Sequence, residues 1–424
     1  MKERIAIIDG LRSPIAKANG KLNDVSADTL GAIITKELVL RNNLKYEQFD
    51  EVIMGNVAQP ANAANIARVM AIRAGFPQTT PAYTVHRNCA SGMQSISSAI
   101  EKIHSNQGDL YLVGGMESMS NIPLLYSDEF RNFITKFTYT KSITTKLKLL
   151  TSFRLGFLKP TIGLISGLTD PISGKIMGIT AENLANEFKI SRDEQDEYAL
   201  NSHKKAQRAI ESGVFKDEIH PIMTKNASII EDDGVRFNQT IEALNKLNPI
   251  FDRLSGTVTA GNSSQISDGA CSLIVCSESK AHELNLEPIG FIKDYAYAGL
   301  DAHRMGLGPI YATKKLFDKT GVSLKDIDLI ELNEAFAAQV IANLKAFKSD
   351  EFCKQTFNSS ALGEIDESIL NINGGAIALG HPVGMSGARI VLTALKELKR
   401  RDDKLGLATL CIGGGQGASF LLEV

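Results

Sequence analysis

Leu110-Tyr111-Leu112-Val113-Gly114-Gly115 is an apolar run stopped by two glycines, and it follows a stretch of a different period. From Ser91 to His104, Met93, Ile96, Ile100 and Ile103 recur three or four residues apart, which is one face of a helix. The same helix-and-strand alternation continues outward in both directions. Upstream, Glu51-Val52-Ile53-Met54-Gly55 is another short strand ended by glycine. Ile5-Ala6-Ile7-Ile8, between Met1-Lys2-Glu3-Arg4 and Asp9-Gly10, is a strand rather than a secretory core. Downstream, Asp328 to Leu332 reads as a strand, and Ala335 to Phe347 and Ile390 to Arg400 as helices. Leu405 to Ile412 is a last strand, running into Gly413-Gly414-Gly415. This alternation predicts an α/β architecture. The glycine-ended strands Leu110–Gly115 and Leu405–Gly415, each behind a long helix, raise an internal duplication that their unlike sequences leave open.

Composition bounds what the chain can be. Its 424 residues suffice for two or three domains at roughly 150 residues each, each with its own core. Apolar residues at 43% and charged residues at 22% exclude global disorder and a coiled coil. Lysine and arginine total 46 against 48 acids, so nothing global favours a nucleic-acid partner. Five cysteines without a CxxC pair argue against a disulfide scaffold or zinc ribbon and for a reducing, cytoplasmic setting. No run approaches the ~18 to 20 apolar residues that span a bilayer.

One segment differs from the rest. Phe130–Thr169 contains no acid, but Arg131, Lys136, Lys141, Lys146, Lys148, Arg154 and Lys159 are there. Phe130, Phe133, Ile134 and Phe137 share a helical face, as do Ile143, Leu147 and Leu150. Two readings stand: a helix pair packed on the body with solvated lysines, or a basic amphipathic element for a partner or membrane surface. Further on, Ser191 with Glu194 has capping-box spacing and opens a helix through Tyr198, Leu200 and His203.

Four residues could carry chemistry. Cys89, in Asn88-Cys89-Ala90-Ser91-Gly92-Met93, stands where a helix begins; the helix dipole there would favour a thiolate nucleophile. The alternative is a buried structural cysteine. His381 lies between Gly380 and Pro382 in a glycine-rich loop, where an imidazole can approach a ligand, or idle. Cys411 ends an apolar strand at the entrance to Gly413-Gly414-Gly415, whose bare amides could form an oxyanion hole; a core cysteine before a turn is the alternative. Asn333, in Asn333-Glu334-Ala335-Phe336, could cap the following helix or hold a water.

Other residues read as bland. Cys271 and Cys276 flank a buried strand, Cys353 falls in a charged stretch expected to be exposed, and His86 lies in the strand of Tyr83-Thr84-Val85. No GxGxxG follows a first strand and no GxxxxGK[ST] occurs, so a dinucleotide site is not expected. No spacing suits a metal.

Taken together, these loops resemble the thiolase family. Asn88-Cys89-Ala90-Ser91-Gly92 is similar to its nucleophile motif and Asn333-Glu334-Ala335-Phe336-Ala337 to its asparagine motif. Gly380-His381-Pro382-Val383-Gly384 is similar to the histidine motif, and Cys411-Ile412-Gly413-Gly414-Gly415 to that of the second cysteine. Thr257–Ser264 and Met177–Asn183 carry further signatures. The resemblance implies a duplicated five-layer α-β-α-β-α fold, with two similar five-stranded mixed sheets and helices between them. It places an N-terminal domain at 1–120 and 257–287, a loop domain at 121–256 and a C-terminal domain at 288–424, with Thr257–Ser264 and Ala270–Val275 expected as strands.

The resemblance also implies roles. Cys89 would carry the acyl group, His381 would take its proton, and Cys411 would move a proton at the α-carbon. Asn333 would hold a water, and the amides of Cys89 and Gly413 would form an oxyanion hole. Arg236, Ser264, Ala335 and Phe336 would line a coenzyme A channel, and Met305 the acyl pocket. Coenzyme A is implied as substrate or product, not as a resident cofactor. A homodimer or homotetramer is expected. Residues 130–169 are similar to the region by which thiolase subunits of β-oxidation complexes meet a hydratase/dehydrogenase subunit or a membrane. Two other readings remain: a thiolase-shaped scaffold subunit, which loss of the catalytic residues would favour, and a decarboxylating condensing enzyme, which Cys411 argues against.

Overall fold

A computed structural model describes residues 3–225 and 227–424, apart from the side chains of Ile162 and Leu164. Met1 and Lys2, quoted above, lie outside the described residues. Among the described residues nine strands form the main path of a ten-stranded sheet: β1 (Ile5–Arg12), β2 (Glu51–Gly55), β3 (Ala82–Val85), β4 (Leu110–Ser118) and β5 (Ser267–Ser277), then β6 (Gly290–Gly299), β7 (Leu329–Leu332), β8 (Leu405–Ile412) and β9 (Gln416–Glu423); the tenth, Ala16–Lys17, pairs with β5 to one side. The helices used below are α1 (Ala27–Arg41), α2 (Ile66–Ala74), α3 (Ser91–His104), α4 (Asp128–Tyr139), α5 (Ile143–Leu150), α6 (Met177–Glu187) and α7 (Arg192–Glu211). They continue with α8 (Gly308–Thr320), α9 (Ala337–Phe347) and α10 (Val383–Arg401).

The sheet order β7-β8-β9-β6-β1-β5-β4-β2-β3 contains the duplication. From β3 inward the pairings run parallel, parallel, antiparallel, antiparallel to β1. From the Leu370 bridge inward through β7, β8 and β9 to β6 they run the same way. The two halves are not separate sheets, as expected, but meet edge to edge. β1 and β6 pair antiparallel through Ile5↔Ile292, Ala6↔Phe291 and Ile7↔Gly290. Otherwise each strand would leave a row of backbone donors and acceptors unpaired at an edge.

Alternate residues along each strand feed different layers. In β4, Tyr111 and Val113 join the core around α3 and α10, while Leu110 and Leu112 join the one with α1 and α2. In β8, Leu410 and Ile412 face α3 and α10, while Leu407 and Cys411 face the core of α8 and α9. The result is five layers: α1 and α2, one half-sheet, α3 and α10, the other half-sheet, α8 and α9. At the centre α3 and α10 approach so closely that each gives up side chains. A Cβ on Gly92 would lie 2.5 Å from the backbone nitrogen of Ala388, and one on Gly387 would lie 2.8 Å from that of Met93.

The inserted region is bolted on by a buried charge cluster. Arg12 donates to Glu218 at 2.7 Å and to both oxygens of Asp232 at 2.7 and 2.9 Å. Asp232 also accepts the amide of Ile15, and Asp233 that of Lys17. The predicted capping box of α7 forms: the Ser191 hydroxyl accepts from the Glu194 amide, and the Glu194 carboxylate from that of Ser191.

Three local expectations fail. Thr257–Ser264 is not a strand, because its amides are spent elsewhere. Those of Thr257 and Val258 donate to the Glu182 carboxylate, that of Thr259 to the Asn262 side chain and that of Ser264 to the Ala335 carbonyl. Cys353 is buried, since the helix Asp350–Phe357 turns it inward toward the Ala346 carbonyl while Asp350, Glu351 and Lys354 face out. The pair α4 and α5 does not pack on the body: neither helix contains a buried residue. Instead Phe130, Phe133, Phe153 and Phe157 pack against one another, mostly tilted or edge-on, with ring centroids 5.6 to 6.5 Å apart. Ile143 and Leu147 are left 75% and 59% exposed.

Candidate active site

Each reactive side chain stands at the end of an element. Cys89 sits two residues before α3, in a turn where Asn88 adopts a left-handed φ of 44° and its carbonyl accepts the Ser91 amide. Burial pushes the Cys89 thiol up, while the amides of Gly413 and of Cys89 itself pull it back down. At the start of α3 desolvation thus acts against the helix dipole on this thiol.

His381 stands on the loop ahead of α10. Gly380, at φ 111°, turns the chain so that the His381 amide donates to the Gln265 carbonyl at 3.1 Å. Its Nδ1 lies 2.6 Å from the Ser386 hydroxyl, which itself donates to the Pro382 carbonyl. With that proton committed, the hydroxyl accepts from Nδ1–H, and Nε2 carries the lone pair. Nε2 is buried with no hydrogen-bond partner among the described residues. Burial, then the charge of Arg389, lowers the His381 pKa to about 4, so the ring is neutral and able to take a proton.

Cys411 is the last but one residue of β8, opposite Gly417, its thiol pushed up by burial and then by the proximity of Cys89. Asn333 does not cap α9, which begins at Ala337 with Phe336 as its N-cap. Its amide donates to Thr409, and both polar atoms of its side chain are buried without a protein partner. Gly413 follows β8, its amide at Cys89 and its carbonyl accepting from Asn88 Nδ2 at 2.8 Å.

Of the remaining predicted residues, Ala335, Phe336 and Met305 share a core with Cys411, and Ser264 lies beside Ala335. Ser264 donates to the Ala335 carbonyl at 2.9 Å, and Ser263 bridges Phe336, so two loops run side by side. Met305 is buried in the cluster that holds Cys411, Ala335 and Phe336. Arg236 is exposed, its amide donating to His203 Nδ1 at 3.2 Å. His86 is exposed just beyond β3 rather than within it.

Sequence reading missed the residues that hold the loops. Ser386 was findable, one helical turn beyond His381 on α10. Glu117 was not: at the far end of β4 it accepts the Gly384 amide at 2.8 Å, those of Val57 and Ala58, and the Asn56 side chain. Burial raises its pKa to about 7, opposed by those amides. Glu334 accepts from Tyr198, Ser202, Asn371 and the Ile377 amide, tying the asparagine loop to the approach of the histidine loop. A cavity of about 480 Å³ shares Glu334 but includes neither cysteine nor His381.

Two thiols, a neutral buried imidazole and converging amides define a cysteine-based acyl-transfer centre on a duplicated five-layer α/β fold. The thiolase N-terminal domain profile matches residues 5–279, and the thiolase C-terminal domain profile residues 286–424. The 3-ketoacyl-CoA thiolases of Yersinia pestis and Yersinia pseudotuberculosis are each 40% identical over 426 residues, covering 100% of this chain and 97% of theirs. The crystal structure of Bacillus anthracis acetyl-CoA acetyltransferase superposes with a TM-score of 0.87 at 38% identity, covering 100% of this chain and 99% of that one. Human mitochondrial 3-ketoacyl-CoA thiolase in complex with CoA gives 0.86 at 36% identity, covering 99% and 98%. The chain belongs to the thiolase family.

Proposed function

We propose that the chain is an acyl-CoA C-acyltransferase that cleaves 3-ketoacyl-CoA with CoA, or condenses two acetyl-CoA, through an acyl group on Cys89. The observation that carries this reading is the placement of His381. Its Nε2 is buried without a hydrogen-bond partner among the described residues, on the loop ahead of α10, the helix that packs against α3 behind Cys89. In the cleaving direction His381 takes the Cys89 proton and the sulfur attacks the 3-keto carbon. The bond from that carbon to the α-carbon breaks, and Cys411 gives the α-carbon its proton, so acetyl-CoA leaves. The thiol of CoA then gives its proton to the Cys411 thiolate and attacks the acyl group, and Cys89 departs and takes back the proton held on His381. The amides of Cys89 and Gly413 stabilise the oxyanion on the acyl carbon. Asn333 holds the water that, with His381, stabilises the oxyanion of the second thioester. Arg236, Ser264, Ala335 and Phe336 line the path of CoA, a substrate and not a resident group, and Met305 the acyl pocket.

The same reading assigns 1–120 with 257–287, 121–256 and 288–424 as N-terminal, loop and C-terminal domains, in a cytoplasmic homodimer or homotetramer. Among the described residues no helix is long and apolar enough to cross a membrane. The outward lysines and leucines of α4 and α5 suit attachment to an anionic membrane surface, or to a hydratase/dehydrogenase subunit. A scaffold role is disfavoured, because all four catalytic residues are present.

Mass spectrometry after incubation with acetyl-CoA tests the chemistry. Cys89→Ala should gain no acetyl group. Cys411→Ala should be acetylated yet fail to make or break the carbon–carbon bond. A Cys89→Ala protein that still turns over would refute the assignment.

A further inference from the structure

The turn between β8 and β9 has to hold the Gly413 amide on the Cys89 sulfur, and its three residues are all glycine. The Leu300 amide holds the Gly415 carbonyl at 2.8 Å, on the side away from Gly413. Gly414 and Gly415 both adopt left-handed φ, 86° and 80°, and glycines leave a chain free to take many other shapes. The restraint on Gly413 comes from the opposite loop. Asn88 is itself left-handed, a conformation asparagine tolerates better than most residues. Its backbone is fixed there by the Ser91 amide and hydroxyl, which both donate to the Asn88 carbonyl, at 3.0 and 2.7 Å. The side chain so directed donates from Nδ2 to the Gly413 carbonyl at 2.8 Å. Arg87 adds a second strut: it stacks 4.1 Å from the Tyr297 ring centroid, donates to Gln94, and reaches Gln416 at 3.2 Å.

We propose that Asn88 is a positioning residue, whose carboxamide clamps the Gly413 carbonyl so that the amide of the same glycine stays aimed at the Cys89 sulfur and at the oxygen of an acyl group carried there. The inference rests on the acyl-enzyme reading above and adds to it the part that aligns the oxyanion hole. It also accounts for a polar residue directly before the nucleophile, where a side chain that cannot donate would leave the Gly413 carbonyl without this donor.

Two variants separate the donor from the backbone. Asn88→Gly keeps the left-handed turn and removes the donor. Asn88→Asp keeps the shape but offers only acceptors to a carbonyl. The first measurement is the pH dependence of Cys89 alkylation by iodoacetamide, which needs no acyl-CoA. The midpoint should move up in both variants, and further in Asn88→Asp. The second is steady-state thiolysis: kcat should fall ~100-fold, the loss typical of one oxyanion-hole donor, while KM for CoA stays within a few-fold. An unmoved alkylation midpoint with kcat within threefold of the parent overturns the proposal. Failure of both variants to fold overturns it as well, making Asn88 a residue of stability. If the parent forms no acyl group on Cys89, the proposed function fails, and the alkylation midpoints still decide whether the clamp exists.

Discussion

Replacing Gly92 with alanine sets two effects of known size against each other. Alanine is the better helix former, by about 1 kcal/mol in a helix interior, so propensity predicts a more stable protein. The new Cβ, however, would stand 2.5 Å from the Ala388 nitrogen, 3.0 Å from the Ala388 Cβ and 3.2 Å from the Gly384 carbonyl oxygen. Real Cβ atoms essentially never come within 3.0 Å of such atoms. The obstacle is the backbone of a buried helix, which cannot swing away like a side chain. α3 and α10 must therefore separate by about half an ångström to clear the clash, and by nearly 1 Å to reach ordinary contact. Overpacking of this kind costs ~1 to 3 kcal/mol, which exceeds the propensity gain. The displacement falls between Cys89, at the start of α3, and His381, just before α10. A misplacement of ~1 Å costs up to ~100-fold in rate, so kcat/KM for thiolysis should drop by ~10- to 100-fold in protein that still folds. Thermal and urea denaturation with steady-state kinetics on one preparation would measure both. A Gly92→Ala enzyme that is stabilised and fully active would refute the claim that this helix contact sets the distance.

Arg12→Met should destabilise the protein by ~3 to 5 kcal/mol, because it strands the Glu218 and Asp232 carboxylates in the interior. Urea denaturation reads this, and a loss below ~1 kcal/mol would show the cluster to be dispensable. The pH profile of acyl transfer should keep its acid limb low. His381, depressed to about 4, stays an unprotonated base above that value and is lost as pH falls through it; a limb near pH 6.5 would mean that the ring is solvated in solution. Changing Lys141, Lys146 and Lys148 to glutamate should abolish salt-sensitive co-sedimentation with anionic vesicles, each lysine near such a surface being worth ~1 kcal/mol, and leave thiolase activity intact. Equal sedimentation of parent and variant at low salt would remove membrane attachment from consideration.

Periodicity made the central elements legible. Ser91–His104 and Leu405–Ile412 begin and end where the apolar pattern does, because both are buried and uninterrupted. Thr257–Ser264 misled for a physical reason: β-branched and small polar residues suit a strand, but Glu182, distant in sequence, claims the amides. The reactive residues were visible as odd chemistry in glycine loops. Glu117 and Glu334 were not, since a carboxylate that gathers amides from distant loops looks in sequence like any surface acid. Cys353 shows the opposite error, a buried residue disguised by charged neighbours.

The narrow antiparallel seam between β1 and β6, three residue pairs wide, joins halves that contribute unequal parts of one reaction centre. Cys89 comes from one half; Asn333, His381 and Cys411 come from the other. A half that folded ahead of its mate would therefore possess either a thiol with no base or a base with no nucleophile. Under the proposed mechanism, a growing or partly unfolded chain cannot transfer an acyl group until the two halves dock.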